Sequence, residues 1–123
     1  MNPRIRFSEY WDKLNEPDFT TIRSWNPEKE RYYREQIGKQ FTALYTEKPY
    51  QYKNGKLICY AYLYSVEVKS PKEISAMELQ RDTELNGEIR KDWFEKILKL
   101  KKVIVLRFTK RQFSIQKSLE VIE

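Results

Sequence analysis

The sequence predicts an α+β fold: a small mixed or antiparallel β-barrel with flanking helices. The predicted elements follow the order strand, helix, strand, helix, a run of strands, two helices and one or two closing strands. One strand, over residues 57–68, is apolar on both faces, which is typical of the middle of a sheet or barrel. The chain has three glycines and lacks the Gly-rich phosphate loop of doubly wound α/β folds.

The first half of the chain alternates strands with helices. A short helix is predicted between Ser8, which offers an N-cap, and Pro17, which ends it. A second helix over residues 27–36 follows the cap residue Asn26 and is closed by Gly38. Because they are rich in β-branched and aromatic residues, three segments are predicted to be strands: 5–7, 19–23 and 41–45.

The second half of the chain carries the most apolar segments. Asn54-Gly55 between apolar segments predicts a hairpin turn, because both turn residues need positive φ. In the strand that follows, we expect the even-numbered residues from Ile58 to Val68 to share one face. Phe113 and Ile115 alternate with polar residues, which predicts a last strand or an extended tail. The remaining predictions are helices over 75–84 and 88–100 and a buried strand over 103–108.

The composition excludes several classes of catalytic and metal site. The chain has no histidine, so it cannot build a Ser–His or Cys–His nucleophile pair or a histidine-containing metal site. Cys59 is the only cysteine, which rules out an internal disulfide, and its apolar neighbours are typical of a small buried hydrophobe. We therefore expect no metal and no cofactor.

The length of 123 residues predicts one domain over residues 1–110, followed by a basic C-terminal strand or tail over 111–123. The longest apolar stretches are far below the ~20 residues needed to span a bilayer. The N-terminus leads into no signal-type apolar region. We expect a cytoplasmic protein without a membrane partner.

The positive charge of the chain is concentrated near its C-terminus. Residues 96–119 contain eight basic side chains and no acid, whereas the rest of the chain carries 16 bases and 18 acids. A polyanion such as RNA is one partner that this pattern favours, because phosphate contacts release counterions. A solvated surface that aids solubility is the alternative interpretation.

Aromatic residues alternate with basic ones in three segments, where exposed rings beside Arg or Lys could stack on bases of single-stranded RNA. The alternative is that these rings pack in the core or at its rim. Trp25 is the best individual candidate, because it lies between a predicted strand and a helix cap, in a connecting loop. The three segments are Arg23-Ser24-Trp25, Arg31-Tyr32-Tyr33-Arg34 and Tyr50-Gln51-Tyr52-Lys53.

The order of elements and several short motifs together resemble the ASCH domain of the PUA-like superfamily. The resemblance covers residues 5–108 and includes Thr21-Ile22-Arg23 in a strand, Gly38-Lys39 before the next strand, and a helical segment with Glu84 and Gly87. It implies a PUA-like β-barrel with a cleft edged by helices. It also implies RNA or a modified nucleoside as the ligand, since some members resemble acetylcytidine amidohydrolases or ribonucleases.

The characteristic segment of that family reads Gly-x-Lys-x-x-Thr-x-Arg. Thr21 and Arg23 match its last two positions, while Asp18 occupies the lysine position and Glu16 the glycine position. In the amidohydrolase members the lysine, the threonine and a distant glutamate form the proposed catalytic set. The resemblance therefore makes Thr21 and Glu84 catalytic candidates in this chain, and Asp18, at the lysine position, could serve as a base. Alternatively, Thr21 is a β-branched strand residue and Asp18 a turn residue after Pro17.

Three functional hypotheses follow from these observations. The first is an RNA-binding module, the second a hydrolase acting on nucleosides or RNA, and the third a protein-interaction adaptor whose basic tail binds an acidic partner. For the first, Arg23 offers a planar guanidinium that suits a phosphate or a base edge. The residues predicted to bind RNA are Arg23, Trp25, Lys39, Lys110 and Arg111.

Overall fold

The computed structural model describes residues 2–46 and 55–111. Three sequence predictions lie outside these residues: the Asn54 half of the predicted turn, the aromatic segment 50–53, and the closing strand or tail beyond Arg111.

The described residues form strands, three α-helices and two short 3₁₀ helices. The strands are β1 (Arg4–Phe7), β2 (Asp18–Ser24), β3 (Gln40–Tyr45), β4 (Lys56–Lys69), β5 (Glu84–Leu85), β6 (Glu88–Ile89) and β7 (Val103–Thr109). The α-helices are α1 (Pro27–Glu35), α2 (Ala76–Asp82) and α3 (Lys91–Leu98). The 3₁₀ helices span Asp12–Asn15 and Pro71–Glu73. The predicted α+β class is therefore confirmed.

Five strands form one mixed sheet in the order β1-β3-β4-β7-β2. β1 runs parallel to β3, and the other neighbouring pairs are antiparallel. β4 lies at the centre, as its apolar residues on both faces predicted. β7 is buried at six of its seven residues, and it lies between β4 and β2.

The sheet is not closed into a barrel, because β1 and β2 are its two edges. The edges are instead connected by side chains. Arg23 on β2 donates a hydrogen bond from Nη2 to the Arg6 carbonyl on β1, at 2.6 Å. The Phe7 and Phe19 rings meet edge to face, with centroids 6.3 Å apart. The sheet thus curves enough for its edges to approach each other without sharing a backbone ladder.

A β-bulge in β4 changes which side chains face the core. Leu63 pairs with Phe108 and Ser65 with Arg107, so the residue between them, Tyr64, is extra. Before the bulge the buried side chains are odd-numbered, as at Leu63; after it they are even-numbered, as at Val66. The prediction of one continuous even-numbered face was therefore wrong, because a bulge reverses the alternation.

The first predicted helices have different outcomes. α1 begins as expected, with the Asn26 side chain accepting a bond from the Lys29 amide at 2.8 Å, and Gly38 takes a positive φ of 90° after it. The helix expected from Ser8 is instead a 3₁₀ turn that starts after Trp11 and has no side-chain cap. Within the described ranges, no helix is long and apolar enough to cross a membrane.

The helix predicted over 88–100 is shorter, because its first residues belong to a small hairpin. β5 and β6 pair across Asn86-Gly87, whose φ angles of 55° and 81° fit a tight hairpin turn. The Asp12 carboxylate accepts hydrogen bonds from both turn amides at 2.8 Å. This contact joins the hairpin to the 3₁₀ helix that follows β1.

The core lies on both faces of the sheet near β7. On one face, the Phe108 ring stacks on Phe19 with centroids 5.3 Å apart and meets Phe41 edge to face at 5.2 Å. On the other face, a second cluster packs α2 and α3 against β2 and β7. Its buried members are Ile22, Ile74, Leu79, Ile97, Val103 and Val105. This second cluster places the end of α2 beside the β2 edge.

We expect Phe41→Ala to lower the free energy of unfolding by about 3–5 kcal/mol, because it opens a cavity among packed rings. Urea denaturation followed by circular dichroism measures this loss. Met77→Ala is the control, since Met77 is 76% exposed and should change stability by no more than about 0.5 kcal/mol. Equal losses in the two variants would contradict this location of the core.

Candidate functional site

A cavity of about 270 Å³ opens beside the unpaired edges of the sheet. It lies between the β1 and β2 edges and the helices α2 and α3. Its aromatic wall includes Phe7, Trp11 and Trp93, and the two indole rings meet edge to face with centroids 5.6 Å apart. The cavity therefore combines flat apolar surfaces with the polar groups of two strand edges.

The charge of the cavity is strongly positive. Its lining contains five cationic side chains and one carboxylate, that of Asp82. The cations are Arg6, Lys13, Arg23, Lys29 and Lys96. Like charges gathered around one opening create a potential that attracts anions, so the cavity suits a negatively charged ligand.

A buried ion pair, Lys13 with Asp82, forms part of the cavity wall. The Lys13 ammonium donates a hydrogen bond to Asp82 Oδ1, and the side chains are only 4% and 6% exposed. Lys13 belongs to the 3₁₀ helix after β1, and Asp82 is the last residue of α2. The pair joins these two elements across the edge of the sheet.

Burial shifts the titration of both partners. Loss of hydration lowers the pKa of Lys13, against the attraction of Asp82, and the nearby charge of Arg23 lowers it further. Loss of hydration raises the pKa of Asp82, against its bonds with Lys13, the charge of Arg23 and the amide of Ile22. Each charge is therefore maintained chiefly by its partner.

The two residues that match the sequence motif, Thr21 and Arg23, both line this cavity. They are two residues apart on β2 and so point to the same face. Arg23 Nε donates to Thr21 Oγ1 at 3.4 Å, and its guanidinium carbon lies 5.1 Å from the centre of the Phe7 ring. The guanidinium is thus fixed by an aromatic ring, a hydroxyl and the Arg6 carbonyl.

The two other predicted catalytic residues do not join Thr21. Asp18 lines a separate cavity of about 200 Å³, which the Lys13–Asp82 pair also borders. Glu84 lies half-buried in β5 and is not among the residues that line either cavity.

Two other predicted RNA contacts, Trp25 and Lys39, have partners that are not among the cavity residues. Trp25 Nε1 donates to Glu30 at 2.7 Å, and Lys102 Nζ lies 4.6 Å from the centre of its ring. Lys39 lies in the turn between α1 and β3, where its carbonyl accepts a bond from Leu63. Neither residue is among those that line the cavity.

The two predicted contacts after β7 are also outside the cavity lining. Lys110 Nζ donates to the Leu14 carbonyl, which ties the end of β7 to the first 3₁₀ helix. Arg111 is exposed, and its amide bonds to the Thr109 hydroxyl. The Lys110 ammonium is thus engaged in a contact within the protein and does not extend freely from the surface.

Sequence reasoning missed Lys13, Asp82 and Lys96 as cavity residues. Lys13 looks like an ordinary surface lysine, and Asp82 closes a short helix. The one available signal was the position of Lys13 between Trp11 and Leu14, which both belong to the core. Among the residues that the structure describes, no group of three acidic or cysteine side chains could hold a metal ion.

We expect Lys13→Met to lower the free energy of unfolding by about 3–5 kcal/mol, because it leaves the Asp82 carboxylate buried without its partner. The double variant Lys13→Met/Asp82→Leu should lose about 1–3 kcal/mol less than the two single losses combined. Urea denaturation of the four proteins measures this coupling. If the stability lost by the double variant equals the sum of the two single losses, the interaction between Lys13 and Asp82 contributes nothing to stability.

The same variants have an expected pH dependence. Without Lys13, the pKa of Asp82 stays above its unfolded value, so the folded state binds more protons and the stability of Lys13→Met falls as pH rises above about 4. The double variant lacks both groups and should not show this fall when urea denaturation is repeated across a pH series.

No protein-family model matches the chain, and comparisons with curated proteins and with solved structures found no match. The resemblance to the ASCH domain therefore stays a prediction from element order and short motifs.

Proposed function

We propose that this protein is an RNA-binding module of the ASCH type, with a PUA-like fold in which the gap between β1 and β2 forms the ligand site. The observation that carries this proposal is the charge of the cavity, with five cations against one carboxylate beside an aromatic wall. Single-stranded RNA offers the matching chemistry, because it joins anionic phosphates to flat bases that stack on aromatic rings.

The size and polarity of the cavity favour one base as its occupant. Its volume of about 270 Å³ lies just below the ~300–1,000 Å³ typical of small-molecule sites, so it suits part of a larger ligand. The Lys13–Asp82 pair offers a donor and an acceptor at the wall, as the edge of a base requires. Arg23, Lys29 and Lys96 supply positive charge for the attached phosphates.

Binding of a labelled single-stranded RNA, measured by fluorescence anisotropy across a salt series, tests this proposal. We expect the affinity for RNA to fall steeply as the salt concentration rises. In a plot of the logarithm of the binding constant against the logarithm of salt concentration, the slope should become shallower by roughly 0.7 for each phosphate contact removed. Lys29→Gln and Lys96→Gln should each weaken binding and flatten this slope.

Lys72→Gln is the matched control, since it removes an exposed lysine of the second 3₁₀ helix that is not among the cavity residues. It should bind like the wild type. An affinity too weak to measure at low salt, or one that salt does not change, would refute RNA binding at this site.

A second candidate function, hydrolysis of an acylated nucleoside, is favoured by the placing of Thr21 in the same cavity as the Lys13–Asp82 pair. In this reaction the Thr21 oxygen attacks the amide carbonyl while the free-amine form of Lys13 takes its proton. That proton then passes to the departing amine, and water hydrolyses the acyl-threonine ester to release the acid. Burial lowers the pKa of Lys13, which is the direction that favours the free amine this role requires.

Arg23 and Asp82 have separate roles in this scheme. The Arg23 guanidinium, bonded to Thr21 Oγ1, supplies positive charge near the developing oxyanion. The Asp82 carboxylate orients the Lys13 amine. In this scheme Lys13 is the base and Asp82 its supporting carboxylate, in place of the predicted catalytic residues Asp18 and Glu84.

Acetate release from N4-acetylcytidine tests the second candidate. We expect Thr21→Val to abolish turnover by removing the nucleophile while keeping the shape of the side chain, and Thr21→Ser to retain a measurable part of it. Thr21→Val should still bind RNA. If the wild type releases no acetate, or if Thr21→Val is as active as the wild type, this catalytic role is wrong.

A further inference from the structure

We infer that the protein has a second nucleotide subsite next to the cavity, where the base of a neighbouring RNA nucleotide stacks against the pair Tyr10–Tyr45. This inference rests on the proposed RNA-binding function. It adds a second binding position, so the ligand spans at least two consecutive nucleotides.

The first support is the continuity of two cavities. A larger cavity of about 480 Å³ lies beside the first, and both are lined by Ser8, Trp93 and Lys96. A ligand whose base fills the smaller cavity can therefore continue into the larger one along the side of α3. Their combined size lies within the range of sites that hold ligands larger than one base.

The second support is an aromatic surface at the larger cavity. Tyr45, at the end of β3, lines this cavity, and the Tyr10 ring stacks on it with centroids 4.2 Å apart and 23° between the rings. Tyr10 is not itself among the residues that line this cavity, but it is 50% exposed, so the pair extends the aromatic surface from Tyr45 at the cavity out to solvent. Stacking on such rings is the usual way in which proteins hold unpaired bases without reading their sequence.

The third support is the contrast in charge between the two cavities. The larger one has two cations, Arg90 and Lys96, and two carboxylates, Glu9 and Asp92. Arg90 pairs with Asp92 at 3.1 Å and with Glu9 at 3.5 Å. Because its charges balance, this cavity suits a neutral base better than a phosphate, whereas the smaller cavity is strongly positive.

Lys96 lies at the boundary between the two cavities. It lines both, it is exposed, and its ammonium is 5.1 Å from the centre of the Trp93 ring. A phosphate that links a base in one cavity to a base in the other would pass this ammonium. The geometry thus orders the ligand as base, phosphate at Lys96, and second base at the tyrosine pair.

Competition binding with the four ribonucleoside 5′-monophosphates and the four ribohomotetranucleotides tests the inference. We expect Tyr10→Ala to weaken tetranucleotide binding about tenfold, through loss of one stacked base, and to leave mononucleotide binding unchanged. Tyr10→Phe, which keeps the ring, should bind tetranucleotides like the wild type.

Tyr32→Ala is the matched control, because Tyr32 is 43% exposed on α1 and its ring meets Tyr33, which lines neither cavity, whereas the Tyr10 ring stacks on the lining residue Tyr45. Thermal unfolding of each variant confirms that it is folded. If the wild type binds tetranucleotides and Tyr10→Ala binds them equally well, the second subsite is wrong and RNA binding stands. If the wild type binds no tetranucleotide at all, both proposals are wrong.

Discussion

The buried Lys13–Asp82 pair is the interaction on which the candidate site depends. It connects the turn after β1 with the end of α2, two elements that lie 69 positions apart in the chain. The two charges lose hydration together, so neither is stable in this place without the other. The pair therefore keeps α2 beside the β2 edge and maintains the shape of the cavity wall.

The gap between β1 and β2 determines which polar groups the candidate site contains. Backbone groups of two paired strands satisfy each other, whereas edge strands leave groups that need other partners. Here Arg23 bonds to the Arg6 carbonyl across the gap, and its side chain takes the place of a ladder bond. This bond fixes the Arg23 guanidinium at the cavity. In a closed barrel, backbone hydrogen bonds between β1 and β2 would occupy the same place. The gap between the two strand edges is also the space in which the proposed ligand would lie.

Binding and catalysis make different demands on the same residues. For binding, Lys13 and Asp82 need only present a donor and an acceptor to a base edge. For catalysis, Lys13 must lose its proton, which burial favours and Asp82 opposes. Thr21 distinguishes the two proposed functions, because its hydroxyl is the nucleophile of the proposed hydrolysis and has no part in the proposed stacking and phosphate contacts.

Local sequence patterns determined the types of most elements, the central position of β4 and the buried character of β7. These features depend on alternation, caps and turn residues, which act over a few positions. The pairing of Thr21 with Arg23 on one face was also predictable, because strand geometry alone places residues two apart together. By contrast, Tyr64 shows the limit of such reasoning, since one bulged residue reverses the faces of a strand whose even-numbered positions from Ile58 to Val68 are all apolar or aromatic.

The tertiary structure alone decided which side chains surround the cavity. Lys13 and Asp82 meet because β1, β2 and α2 pack together, and no local periodicity relates positions so far apart. Long-range packing also leaves Trp25 and Lys39 outside the lining. Asp18 and Thr21, by contrast, are separated by strand alternation alone, because they lie three positions apart on β2 and so face opposite sides. The sequence by itself determined most of the elements and the residues that β2 presents on each face, because those depend on neighbouring residues. Only long-range packing could set the partners of a buried charge, since burial and pairing are properties of the assembled core.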